Sequence, residues 1–179
     1  MTAPPSPEQS GTADSGAQLA LQRLVKLVKS QGATLATAES LTGGLIGAAL
    51  TDVPGISAIY RGGVIVYATE LKSTLAGVPA DLLSQVGPVH ADTAAALAAG
   101  VRERLGATYG LATTGVAGPD PQAGIAPGTV FVAAAGPKGV KVRKLALSGN
   151  RDAVRRESVQ AVLELAAELV AEEARPQEC

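Results

Sequence analysis

The chain has 179 residues, 46% of them hydrophobic and 17% charged, with a formal net charge of −1. That balance fits one globular domain with a real core and removes any general attraction to nucleic acid or anionic membrane. Three Tyr, one Phe and no Trp give few stacking platforms for single-stranded nucleic acid, and the single Cys179 excludes an internal disulfide and a thiolate zinc site.

In chain order, residues 1–16 combine Pro, Ser, Gly and acids without a basic or apolar stretch, and read as a disordered tail rather than a signal peptide. Leu21, Leu24, Val25 and Val28 fall at i, i+3, i+4 and i+7, which predicts an amphipathic helix over 17–30 ended by Gly32. "ATLATA" (33–38) is a short buried strand, and "TGGLIGAALTDV" (42–53) a helix of small residues broken at Pro54-Gly55. "GGVIVYA" (62–68) is continuously apolar, as a parallel strand buried on both faces would be. A short helix starts near Glu70, "VPADLLSQVG" adds a helical turn or two, and 91–106 is a helix with Leu97, Val101 and Leu105 four apart. A third strand spans 109–115, followed by the Gly/Pro loop "VAGPDPQAGIAPG". Strands 129–136 and 140–147 flank the turn signal "GPKG" and read as a hairpin. Asn150 is a plausible N-cap for a long last helix with Val162, Leu165, Ala166 and Leu169 on one face. The expected organisation is one domain over 17–173 with a short tail at 174–179. Strand–helix alternation places the chain in the α/β class, with a mostly parallel sheet made mixed by the late hairpin. No run reaches the roughly 18 apolar residues of a membrane span, and a cytoplasmic setting is expected.

The strand–helix–strand unit from Ser40 to Tyr67 is the size of a parallel crossover. It carries Ser40, Tyr67 and, five residues further, Lys72 toward one sheet edge, where "TTGVAGPD" also ends the third strand. Ligands bind at that edge in open α/β sheets. Ser40 needs a base before it can act as a nucleophile. His90, the one His, sits just before a helix, where capping or exposure explains it. Lys72 is the other candidate base, and it serves only if burial lowers its pKa toward 7–8. Tyr67 is placed to relay a proton or orient the amine. Each has a plainer reading: Ser40 or Thr42 as a helix N-cap, Lys72 as a solvated helix lysine. Gly43 and Gly44 offer main-chain N–H groups at a helix start to an anion, or equally serve as close helix-packing positions. Thr113, Thr114 and the glycine turn after them suit an oxyanion, a ribose or a phosphate. Arg151 opposes the helix macrodipole at its start unless an anion is near, and is a phosphate candidate; a surface ion pair with Asp152 or Glu157 is the alternative. Acids are scattered and His is single, so no metal site is expected.

In this order and spacing, "TAESLTGG", "RGGVIVYATELK", "GVAGPD", "PGTVFVA" and "SGNRDAVRRESV" resemble the C-terminal domain of the CinA family, including its stand-alone nicotinamide-nucleotide amidohydrolases. The resemblance covers about 17–172. It implies a three-layer α/β/α sandwich and hydrolysis of the carboxamide of nicotinamide mononucleotide to nicotinic acid mononucleotide and ammonia, in pyridine nucleotide recycling. It implies Ser40, Tyr67 and Lys72 as the catalytic set. The candidate substrate-binding set is Glu39, Thr42, Gly43, Gly44, Thr113, Thr114, Gly115, Gly118 and Arg151. No cofactor is implied, and a bacterial homo-oligomer is. A non-catalytic nucleotide-binding or interaction module linked to competence or DNA damage is the alternative.

Overall fold

The computed structural model describes the backbone of residues 11–175 and the side chains of 15–175. Cys179 and the first ten residues of the expected tail lie outside the described residues. The rest of that expected tail is already helical: α1 runs Gly11–Ser30. Apolar spacing marked only the part of α1 whose residues are buried, from Ala20 to Val28.

The chain continues as β1 (Leu35–Glu39), α2 (Leu45–Thr51), a 3₁₀ turn (Ile56–Ala58), β2 (Tyr60–Ile65), α3 (Thr69–Thr74), α4 (Ala80–Val86) and α5 (Ala91–Arg104). It ends in β3 (Tyr109–Gly115), β4 (Thr129–Gly136), β5 (Gly139–Ala146) and α6 (Arg151–Glu173). Asn150 caps α6 as expected, its side chain accepting from the Ala153 N–H. The five strands form one mixed sheet in the order β2-β1-β3-β4-β5. β1 is parallel to both neighbours, and β4 is antiparallel to β3 and to β5.

Side-chain alternation along the strands divides the core into two halves. Leu35, Leu111, Val130 and Val132 face a layer made by α1, α2 and α6. Ala36, Ala38, Ala112 and Ala133 face the other layer, made by α3, α4 and α5. The result is an α/β/α sandwich in three layers. Small residues on the second face let α5 sit close to the sheet.

β2 departs from its expected position. It starts two residues earlier, ends at Ile65, and lies at the edge of the sheet, where its residues alternate between half-buried and exposed. An unbroken apolar run does not distinguish a central strand from an edge strand. Gly63 has its own reason: a Cβ there would lie 2.0 Å from Thr37 Oγ1, which is hydrogen-bonded at 2.8 Å to the Tyr60 hydroxyl.

From β1 the chain passes outward to β2 on one side and returns to β3 on the other. The carboxyl ends of β1 and β3 therefore flank a topological switch point, the place where such sheets bind ligands.

Candidate active site

Ser40 is the first residue past β1, and its N–H donates to Thr113 O at 3.1 Å, a last rung of the ladder with β3. Alternation puts its side chain on the face of Ala36 and Ala38, the side covered by α3 and α5. A tight turn follows, closed by the Gly43 N–H to Ser40 O at 3.1 Å. Gly43 and Gly44 take φ of 58° and 101°, a region that favours glycine.

Glu39 points to the opposite face and is 2% exposed. Its carboxylate accepts from Thr42 Oγ1 (2.8 Å) and from the N–H groups of Gly44 (2.9 Å), Ile46 (3.1 Å) and Gly47 (2.8 Å). Thr42 Oγ1 also lies 2.9 Å from Thr113 Oγ1. This corrects the reading of Gly43 and Gly44 as donors to a ligand anion. The amino end of α2 already holds an anion, the chain's own carboxylate, and the Gly43 N–H is spent on the turn. Glu39, Thr42 and Thr113 form a buried network beneath the turn that follows Ser40 and do not line the cleft.

Lys72 is the largest fully buried side chain, at 2% exposed. Only Val66, Tyr67 and Ala68 separate the β2 strand end from α3, so Lys72 folds back over the residues that precede the helix. Nζ donates to Val66 O at 2.7 Å and Tyr67 O at 3.4 Å, and lies 3.2 Å from Ser40 Oγ. Burial lowers its pKa from 10.5 to about 8, partly opposed by the Glu70 carboxylate. The plainer reading of Lys72 as a solvated helix lysine is excluded by this burial. A neutral amine has two N–H bonds and one lone pair. With both N–H groups directed at the two carbonyls, the lone pair faces the serine.

Tyr67 takes part differently from the expectation. Its carbonyl reaches Lys72, but its ring is 62% exposed and its hydroxyl accepts from Arg151 Nη2 at 3.1 Å. The phenol makes no hydrogen bond to Ser40 or Lys72 and carries no relay between them in this arrangement. Arg151 Nη1 donates to Gly118 O at 2.9 Å. Arg151 thus spans from the first turn of α6 to both the β2 end and the β3–β4 loop, across a cleft of about 100 Å³. Ser40, Tyr67, Lys72, Thr114, Gly115, Gly118 and Arg151 all line this cleft, with Asp120 and Gln122 from the loop. Thr114 Oγ1 is committed to Pro88 O at 2.6 Å.

Gly115 supplies something its side chain could not. The Val116 N–H donates to Thr129 O at 2.9 Å, which makes Gly115 and Val130 a non-hydrogen-bonded pair. The Gly115 N–H therefore turns away from β4 toward β1, where the adjacent Ser40 carbonyl is already bonded to Gly43. It is a main-chain donor directed toward the Ser40 side of β3.

His90 caps α5, its Nδ1 accepting from the Asp92 N–H at 3.3 Å, in line with the non-catalytic reading. A larger groove of about 1100 Å³ between α1, α2 and α6 is lined by Leu21, Val25, Leu45, Val53 and Leu163 among others. It lies on the far side of the sheet from the Ser40–Lys72 pair. Sequence reasoning did not assign Arg155, whose guanidinium reaches Leu41 O and Thr42 O. Its spacing of four from Arg151 was the available signal. Among the described residues no group of His, Cys, Asp and Glu could hold a metal ion.

Fold and site together define a three-layer α/β domain with a serine and a buried amine paired at the switch point of its sheet. Residues 17–170 match the model of the CinA C-terminal domain, and the chain belongs to that family. A CinA-like protein of Frankia casuarinae is 52% identical over 145 residues, covering 81% of this chain and 34% of its own length. One of Myxococcus xanthus is 44% identical over 145 residues, with 79% and 34% covered. The chain thus spans about a third of the length of these curated relatives. Among solved structures, the competence/damage inducible protein CihA of Agrobacterium tumefaciens is 30% identical with a TM-score of 0.81, covering 97% of this chain and 99% of that one. A CinA superfamily protein of Klebsiella pneumoniae is 27% identical with a TM-score of 0.83, with 87% and 98% covered. No helix among the described residues is long and apolar enough to cross a membrane.

Proposed function

We propose that this chain is an amidohydrolase that cleaves the carboxamide of nicotinamide mononucleotide. The observation that carries the reading is Lys72 Nζ, buried, with a lowered pKa, 3.2 Å from Ser40 Oγ. Ser40 Oγ attacks the carboxamide carbon while its proton passes to the neutral Lys72 amine. The negative charge developing on the carbonyl oxygen is met by main-chain N–H groups, with Gly115 and Leu41, the residue after the nucleophile, as candidates. Lys72 then returns the proton to the amide nitrogen, the C–N bond breaks, and ammonia leaves an acyl ester on Ser40. A water loses its proton to Lys72 and attacks that ester, and the proton returns to Ser40 Oγ as the acid departs. The exposed ring of Tyr67 offers a flat apolar wall to the pyridine, and Arg151 offers a guanidinium to the phosphate.

The test is ammonia release from nicotinamide mononucleotide, its riboside and free nicotinamide. The mononucleotide is expected to be preferred at least 100-fold in kcat/KM over nicotinamide, because phosphate binding contributes to transition-state stabilisation. Equal rates on all three, or none, would remove this reading. Arg151→Gln is expected to raise KM for the mononucleotide about 10–100-fold, the equivalent of one charge-assisted contact of about 1.4–2.7 kcal/mol, with kcat changed far less. An unchanged KM places the phosphate elsewhere.

The pH profile follows from Lys72. Below its pKa of about 8 the amine is mostly protonated and unable to accept the serine proton. kcat/KM is expected to rise about tenfold per pH unit below pH 8 and to level off above it. A profile flat from pH 6 to 9 would show that a different base operates.

A further inference from the structure

We infer that Arg155 is a positioning residue that fixes the turn carrying the nucleophile, in the reaction proposed above, on which this inference rests for its kinetic arm. Arg155 lies one helical turn beyond Arg151 on α6, half-buried. Nε donates to Leu41 O at 3.0 Å and Nη2 to Thr42 O at 2.8 Å. These are the two carbonyls immediately after Ser40, held by one planar fork from a different element of the fold. A peptide unit is planar and trans, so holding the Leu41 carbonyl toward α6 turns the Thr42 N–H to the opposite side, and holding the Thr42 carbonyl does the same for the Gly43 N–H. The latter closes the turn onto Ser40 O.

The turn is therefore gripped from two sides. Glu39 holds donors at Thr42, Gly44, Ile46 and Gly47 from beneath. Arg155 holds acceptors at Leu41 and Thr42 from α6. Two consecutive glycines at positive φ leave this segment free to relax once either grip is lost. Among the described residues Arg155 makes no ion pair with a carboxylate. Its hydrogen bonds go to this turn alone, unlike Arg156 and Arg143, which pair with acids on α6. A Ser–Lys pair needs its oxygen held within hydrogen-bond reach of the amine, and a shift of about 1 Å is enough to cost on the order of 100-fold in rate.

Arg155→Met and Arg155→Lys in the full chain test this. Hydrogen–deuterium exchange of Arg155→Met is expected to rise at least tenfold for amides of residues 41–47 and to stay within twofold in β3, β4 and α5. With nicotinamide mononucleotide, kcat is expected to fall about 10–100-fold with KM within threefold, and Arg155→Lys, which keeps one donor, to fall between Met and native. The acid limb of the pH profile stays where Lys72 sets it. Unchanged exchange at 41–47 overturns the inference whatever the activity. So does a rise spread over the whole chain, which would make Arg155 a general stabilising contact. If the native chain releases no ammonia from the mononucleotide, the proposed reaction falls, and the exchange of 41–47 still decides the role of Arg155.

Discussion

Ser40→Ala and Lys72→Met are each expected to lower ammonia release by at least about 1000-fold, or about 4 kcal/mol of transition-state stabilisation. The double variant is expected to lose little more than the worse single one, because in the proposed reaction nucleophile and base act as one unit. The two differ in stability. In the unfolded chain Lys72 has a pKa of 10.5, and in the fold about 8. Between those values the folded state binds fewer protons than the unfolded state, so native stability rises with pH through that window. Below about pH 8 the full cost of the buried amine is present, up to ~3 kcal/mol. Lys72→Met is uncharged and of similar length, and it removes that cost while orphaning Val66 O, which offsets about 1–2 kcal/mol. At pH 7 the variant is expected to be more stable than native by about 1–2 kcal/mol, raising the thermal midpoint by about 2–8 °C. The gain disappears by pH 10. Thermal melts at pH 7 and 10 check both signs. A Lys72→Met chain that is inactive and also less stable at pH 7 would sink the account of an amine whose charged form burial disfavours. Ser40→Ala is expected to melt within about 2 °C of native.

The legible parts of this chain are those where a local pattern and the tertiary outcome coincide. The 3.6-residue spacing of Leu21, Leu24, Val25 and Val28 and of Val162, Leu165, Ala166 and Leu169 marked the buried faces of α1 and α6. The strands 109–115 and 129–136 fell where expected, since turn residues bound them on both sides. The edge position of β2 was not legible, because burial on one face or two depends on which strand lies beside it. Ser40 and Lys72 could be paired from the size of the crossover, but the depth of Lys72 could not. Its burial arises from α3 following β2 after a connection of only three residues, which folds the long side chain back onto Val66 and Tyr67. The same tight connection turns the Tyr67 ring outward to Arg151. Glu39 was read as a ligand contact for want of knowing its face. One step along a strand reverses the side, so Ser40 faces the cleft and Glu39 the packed layer beneath.

That reversal makes Glu39 a residue whose loss is expected to cost the fold heavily. Its carboxylate is buried and accepts from four donors, three of them main-chain N–H groups of the turn and first turn of α2. Glu39→Ala leaves those donors without an acceptor in a space shaped for a carboxylate. Each buried unsatisfied donor costs about 1–3 kcal/mol, and entering water recovers part of it. The net loss is expected to be about 4 kcal/mol, a fall of about 8–16 °C in the thermal midpoint. Glu39→Gln is intermediate, since its carbonyl keeps one acceptor while its NH₂ faces donors. Ammonia release by Glu39→Gln, measured well below its melting point, is expected to fall at least tenfold with KM little changed, because the relaxed turn no longer holds Ser40 against Lys72. A Glu39→Ala chain melting within 3 °C of native would show that the turn holds its shape without the carboxylate.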